Sequence, residues 1–87
     1  MYLHLGQAVV TPARDVIGIF DLDNASWAYK TREFLEKAEK EGRVVSATGD
    51  IPRSFAVCQR KGQPQKVYLS QLSSATLKGR MEGNGLE

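Results

Sequence analysis

Apolar positions along this chain fall into short runs near its two ends and one helical stripe between them. Tyr2 to Leu5 and Val9-Val10 are apolar pieces separated by Gly6, a pattern that predicts a hairpin or a paired start. Thr11-Pro12-Ala13-Arg14 predicts a turn, because proline cannot continue a strand ladder. Asp15-Val-Ile-Gly-Ile-Phe20 is β-branched and apolar, which predicts a strand with Gly18 allowing a close approach, and Asp21-Leu-Asp-Asn24 breaks it. From about Ser26 to Glu41 the period changes to that of a helix. Trp27, Thr31, Phe34, Leu35 and Ala38 share one face, Asn24 or Ser26 can cap the start, and Gly42 suits a left-handed C-cap. The other face pairs Glu33 with Lys37 and Glu36 with Lys40, in the glutamate-first order that favours a helix slightly.

Arg43 to Ala47 predicts a further strand and Thr48 to Pro52 a loop. Ser54-Phe-Ala-Val-Cys58 and Lys66-Val-Tyr-Leu-Ser70 predict an antiparallel hairpin across the polar loop Gln59–Gln65. Ser73 or Ser74 can cap a short helix through Ala75, Leu77 and Met81. The fold class expected is α+β, a small and mostly antiparallel sheet covered on one side by one long helix, with a short C-terminal helix. Residues 1–81 would form the one domain. Residues 82–87 read as a flexible tail, of which Leu86-Glu87 has the look of an expression scar.

Size narrows what can stabilise such a fold. A chain of 87 residues buries a modest core and commonly needs a disulfide, a metal or self-association. Cys58 is the only cysteine, so a disulfide framework is excluded, and His4 with Cys58 cannot close a structural metal site. Self-association remains, with Val9, Val10 and Phe20 as candidate interface residues. No run approaches the roughly 20 apolar residues of a membrane span, and the start lacks the features of a signal peptide. A cytoplasmic protein is expected, and an unpaired cysteine suits that compartment.

Charge is polarised along the chain. Residues 43–80 carry seven bases, Arg43, Arg53, Arg60, Lys61, Lys66, Lys78 and Arg80, against the single acid Asp50. Residues 1–42 hold five bases against seven acids, so the net charge of +2 conceals a strongly basic half. A field of one sign on a small protein attracts polyanions, nucleic acid first among them.

Catalytic chemistry does not assemble. His4 sits in an apolar run, which favours a structural or surface role. Cys58 ends an apolar strand and reads as a buried small hydrophobe. Asp21, Asp23 and Asn24 lack the spacing of a calcium loop, and no glycine-rich phosphate loop is present; no cofactor is implied. The basic residues instead occupy places that reach a ligand without disturbing a core. Arg14 is in a turn, Arg53 follows Pro52 in a loop, Arg60-Lys61 lies at a hairpin tip, and Lys78 and Arg80 ride the last helix. Phosphate contacts are the natural use of such side chains. No helix-turn-helix, zinc finger or RNA-binding aromatic motif points to base readout, and Phe55 and Tyr68 read as core.

The segments Met1-Tyr-Leu-His-Leu-Gly6, Arg14-Asp-Val-Ile-Gly-Ile-Phe-Asp21, Arg32-Glu-Phe-Leu-Glu-Lys37 and Leu72-Ser-Ser-Ala-Thr-Leu-Lys78 carry a resemblance. In order and spacing they resemble the small Rem regulators of bacterial extracellular-matrix (biofilm) genes, which comprise RemA and RemB (YaaB-like) types, and they are nearer the RemB type. The resemblance runs over about residues 1–81. It implies a DNA-binding transcriptional regulator, a ring-like homo-oligomer and a fold similar to LytTR DNA-binding domains. In the RemA type a glycine is followed by two DNA-contacting arginines; here Gly49 is followed by Asp50 and Ile51, and only Arg53 keeps a base in that loop. Arg14 falls in the region of another basic position used by the RemA type. The resemblance thus ranks Arg53 first and Arg14 second as DNA contacts, with Arg60 and Lys61 third. Because the loop is altered, a scaffold that does not touch DNA, or a partner subunit of a RemA-type regulator, is the alternative.

Overall fold

All five residues of the strand Ser54–Cys58 (β5) are buried, as befits a strand packed on both faces. It lies inside a four-stranded sheet ordered β3-β5-β6-β4, where β3 is Val16–Asp21, β6 is Lys66–Ser70 and β4 is Val44–Ser46. β3 and β6 flank β5 antiparallel, whereas β4 runs parallel to β6. A separate antiparallel pair is formed by β1 (Tyr2–Gly6) and β2 (Val9–Pro12). The helices are α1 (Tyr29–Lys40) and α2 (Ser74–Gly85), and a 3-10 turn (Ala13–Asp15) joins β2 to β3. The computed structural model describes residues 2–7, 9–22 and 29–85. Trp27 and the capping candidates Asn24 and Ser26 lie outside them.

Alternation along β5 divides the core. Phe55 and Val57 face α1, joining Leu22, Ala38 and Val67, with Phe34, Leu35, Val44 and Leu69 packed around them. Ala56 and Cys58 face the other way, joining Leu3, Leu5, Ala47 and Leu77. Phe34, Leu35 and Ala38 of the predicted helical stripe therefore cover one side of the sheet. The other side is also covered, by the β1–β2 hairpin and α2, which corrects the expected one-sided sheet to two sheets and a core on each face of the larger one. Ser70 Oγ donates to Leu5 O at 2.5 Å, tying the two sheets together. Gly6 abuts the end of β4 so closely that a Cβ there would stand 3.0 Å from Ala47 O.

α1 stops as its sequence predicts. Gly42 takes φ +71°, its N–H donates to Glu39 O at 3.0 Å, and Arg43 N–H donates to Ala38 O at 2.9 Å. These are the two bonds of a Schellman cap. α2 starts on Ser73, whose Oγ accepts the Thr76 N–H at 3.1 Å. It is not short: both helices span 12 described residues, and α2 continues past Met81 to Gly85, into the stretch read as tail. Buried Leu77, half-buried Met81 and a bond from Arg80 Nη1 to His4 O at 3.1 Å hold it against β1 in spite of Gly79, a weak helix former. His4 itself is exposed, its Nε2 bonded to Gln7 O at 2.8 Å, in keeping with a structural or surface role.

Candidate nucleic-acid interface

The strand register collects five basic residues at one end of the large sheet. Val16 is paired with Cys58, Cys58 with Lys66, and Val44 with Val67. The start of β3, the end of β5 and the starts of β6 and β4 therefore share that end. Arg14 precedes β3, Arg60 and Lys61 follow β5, Lys66 opens β6 and Arg43 precedes β4. Three of the four predicted contact residues, Arg14, Arg60 and Lys61, are thus brought together, and Arg43 and Lys66 join them.

Two acids at this end are already engaged. Asp15 Oδ2 accepts from Arg60 Nε and Nη2, both at 3.1 Å, and Gln59 N–H reaches Asp15 O at 2.8 Å. Glu41 Oε1 accepts from Arg43 Nε at 2.7 Å, and Arg43 Nη1 also donates to Gln65 Oε1 at 3.1 Å. In each pair one partner is largely buried and the other about half exposed, so solvent still screens the attraction and the contribution to stability is about 0–1 kcal/mol. Their role here is geometric, since they fix where Arg60 and Arg43 point. Arg14, Lys61 and Lys66 are exposed.

Arg53 stands apart. It precedes β5 at the opposite end, where Asp21 is paired with Ser54, and its backbone is clamped by Arg53 N–H to Ser70 O and Leu22 N–H to Arg53 O, both 2.8 Å. The length of β5 puts roughly 17 Å between Arg53 and the Cys58 end, at about 3.3 Å per residue. Arg53 and Arg14 therefore do not flank one surface. The loop before Arg53 is braced internally: Thr48 Oγ1 donates to Gln71 Oε1 at 2.8 Å and accepts the Asp50 N–H at 2.9 Å. Ile51 at its tip is 86% exposed.

The pattern for the RemA-like family, described as extracellular matrix regulatory protein A-like, matches residues 2–81. The chain is also 39% identical over 82 residues to extracellular matrix regulatory protein B of Bacillus subtilis (strain 168), covering 94% of this chain and 91% of that protein. The chain belongs to the RemA-like family. This is a family of regulatory proteins and not of enzymes. No helix among the described residues is long and apolar enough to cross a membrane.

Of the two site residues missed, Lys66 joins this end through the β5–β6 hairpin, opposite Cys58, whereas Arg43 joins it only because β4 lies parallel to β6. The available signal was their position at strand starts. Phe55, the core residue the sequence predicts, is 3% exposed. Tyr68 is half-buried and packs on the core of Leu3, Leu5 and Leu77.

Cys58 lies under this end as an inert thiol. Burial pushes its pKa up, a 3.9 Å hydrogen bond from Thr11 Oγ1 opposes the shift, and Asp15 adds to it. Folding thus favours the protonated thiol. Stability from this source is intact below the unfolded thiol's pKa of about 8.5 and is lost as pH rises through the higher folded value. Tyr68, raised chiefly by burial, acts in the same sense from about pH 10. The urea midpoint should be level from about pH 7 to 8 and fall above about pH 9, with a shallower fall in Cys58→Ala. A midpoint that climbs over that range would contradict the assignment.

Proposed function

We propose that this RemA-like chain is a DNA-associated regulator of extracellular-matrix genes, working in the cytoplasm as a self-assembled oligomer, with the basic sheet end as its phosphate-contacting surface. The observation that carries the reading is the convergence of Arg14, Arg43, Arg60, Lys61 and Lys66 at one end of the sheet, with Asp15 and Glu41 held in ion pairs. Each protomer offers only a few phosphate contacts. An assembly sums them along one duplex, so modest sites give useful affinity through effective concentration. The name of the Bacillus subtilis relative, an extracellular matrix regulatory protein, supports the regulatory part.

An exposed apolar edge supports the self-assembly part of the reading. Edge strand β3 runs from Val16 to Phe20 without a charge, and Ile17 and Phe20 are 62% and 48% exposed beside Phe34. An exposed apolar edge favours association, and the register irregularity between Val16 and Gly18 interrupts this one only at its start. Phe20 and exposed Val10 remain interface candidates, while Val9 packs into the core of Leu3 and Leu5. The alternative reading, a scaffold or a partner subunit of a RemA-type paralogue, draws on the Asp50-Ile51 loop, which offers a carboxylate and an apolar tip where the resemblance places two arginines.

One experiment separates the two: titration of unrelated duplexes at about 50 and 200 mM salt, with the mass of the protein measured by sedimentation. The DNA reading requires a mass well above 9.6 kDa and an affinity that falls steeply with salt and differs little between sequences. An intact oligomer with no binding at the lower salt would establish the scaffold. A folded monomer throughout the micromolar range would remove the assembly from both.

A further inference from the structure

Two clefts meet at the basic sheet end, and Pro12 and Arg60 line both. One, of about 240 Å³, is predominantly polar and is walled by Asp15, Arg60, Gln63, Lys66 and Tyr68, among others. Its neighbour, of about 470 Å³, is lined by Tyr2, Pro12, Ala13, Arg14 and Arg60. We propose that the pair forms one site for a free mononucleotide, with the phosphate held among Arg60, Lys66 and Tyr68 and the base laid against Tyr2.

The chemistry of each half fits its part of the ligand. Arg14, Arg60 and Lys66 face the single carboxylate of Asp15, a surplus of two positive charges, and a phosphomonoester carries about −1.5 to −2 at neutral pH. Asp15 does not oppose the anion directly, because Arg60 Nε and Nη2 both donate to its Oδ2. A guanidinium has five N–H groups, so this ion pair aims Arg60 while leaving others for phosphate. Tyr68, protonated at neutral pH like any tyrosine, supplies a neutral hydroxyl donor. In the second cleft Tyr2 is 64% exposed, and Pro12 and Ala13 add an apolar wall beside the Arg14 guanidinium. Aromatic and guanidinium faces are the usual platforms for an unpaired base. Bases within a duplex are stacked on one another and reach such a platform only when extruded, so duplex backbone alone leaves Tyr2 unused.

The inference shares its cations with the DNA reading, so a mononucleotide would compete with duplex, and the test separates the two. AMP, adenosine, inorganic phosphate and a blunt duplex are titrated calorimetrically into the full chain at low salt. AMP should bind about tenfold or more tighter than either adenosine or phosphate, and unlabelled AMP should displace duplex. Tyr2→Ala should weaken AMP by about fivefold or more, the lower end of a lost base stack, and leave phosphate within about twofold. Lys66→Gln should weaken both. AMP no tighter than phosphate, or an equal loss of both ligands in Tyr2→Ala, overturns the site. Duplex binding without AMP selectivity overturns the nucleotide site alone, whereas AMP binding without duplex binding retains it and overturns the DNA reading.

Discussion

Phe55→Ala should remove about 3–5 kcal/mol of stability, the usual cost of a buried phenylalanine replaced by alanine. Phe55 stands in interior strand β5, paired across the sheet with Phe20 on β3 and Leu69 on β6, and it is 3% exposed. Its ring stacks on Phe20 with centroids 5.0 Å apart and on Phe34 of α1 at 6.3 Å. Truncation therefore opens a void where two strands and a helix meet, and it strips both aromatic contacts at once. Domains of this size have total stabilities near the lower part of the range of about 5–15 kcal/mol, so the variant should be largely unfolded at moderate urea. Ile51→Ala, at the exposed loop tip, is the matched control and should stay within about 0.5 kcal/mol of the parent. Urea melts followed by circular dichroism at fixed protein concentration measure both. A loss below about 1 kcal/mol in Phe55→Ala would mean that α1 and the sheet are not packed through this ring.

That central packing was legible in the sequence because its signals are local. Phe55-Ala-Val-Cys58 is an uninterrupted apolar run, and Phe34, Leu35 and Ala38 repeat at helical spacing toward a glycine that closes the helix. Every level of that reading agrees, from propensity to cap to burial. What stayed hidden was set by non-local pairing. Nothing in Val44-Val45-Ser46 says that it will lie parallel to β6, across from the hairpin that follows it. Nothing in the first residues says that β1 and β2 will form their own sheet against the back of the larger one. The extent of α2 was masked for a different reason: Gly79 and the glycines after Met81 weaken the helical signal, while its anchor, Leu77 against β1 and β3, is tertiary.

The candidate site follows the same division. Arg14, Arg60 and Lys61 could be named from turn chemistry alone, since each is in or beside a loop. Grouping them required the register of β3 on β5; Lys66 comes with the β5–β6 hairpin, and only Arg43 required the β4–β6 pairing. Arg53 was ranked first on a resemblance of its loop, yet in the fold it lies at the sheet end that also holds Asp21, with Asp50 in its own loop.

The largest expected effect on binding is that of the triple variant Arg14→Ala, Lys61→Ala, Lys66→Ala. Arg43 and Arg60 are left in place because each neutralises a carboxylate, and removing either would add a negative charge to the surface under test. The three chosen side chains are exposed, so fold and assembly should be unchanged within about 0.5 kcal/mol per site. If each contacts one phosphate, their loss should lower the slope of log affinity against log salt by about 0.9 per contact, nearly three in all. At about 50 mM salt that corresponds to a weakening on the order of a thousandfold per protomer engaged, multiplied wherever several protomers share a duplex. Arg53→Ala should by contrast stay within about threefold of the parent, and replacing Asp50 and Ile51 by arginine should change little, since that loop would face away from the DNA. The reverse outcome is equally informative. A triple variant that binds like the parent, with Arg53→Ala impaired or the arginine-substituted loop strengthened, would move the contact to the Thr48–Arg53 loop. The basic sheet end would then be a solvated surface.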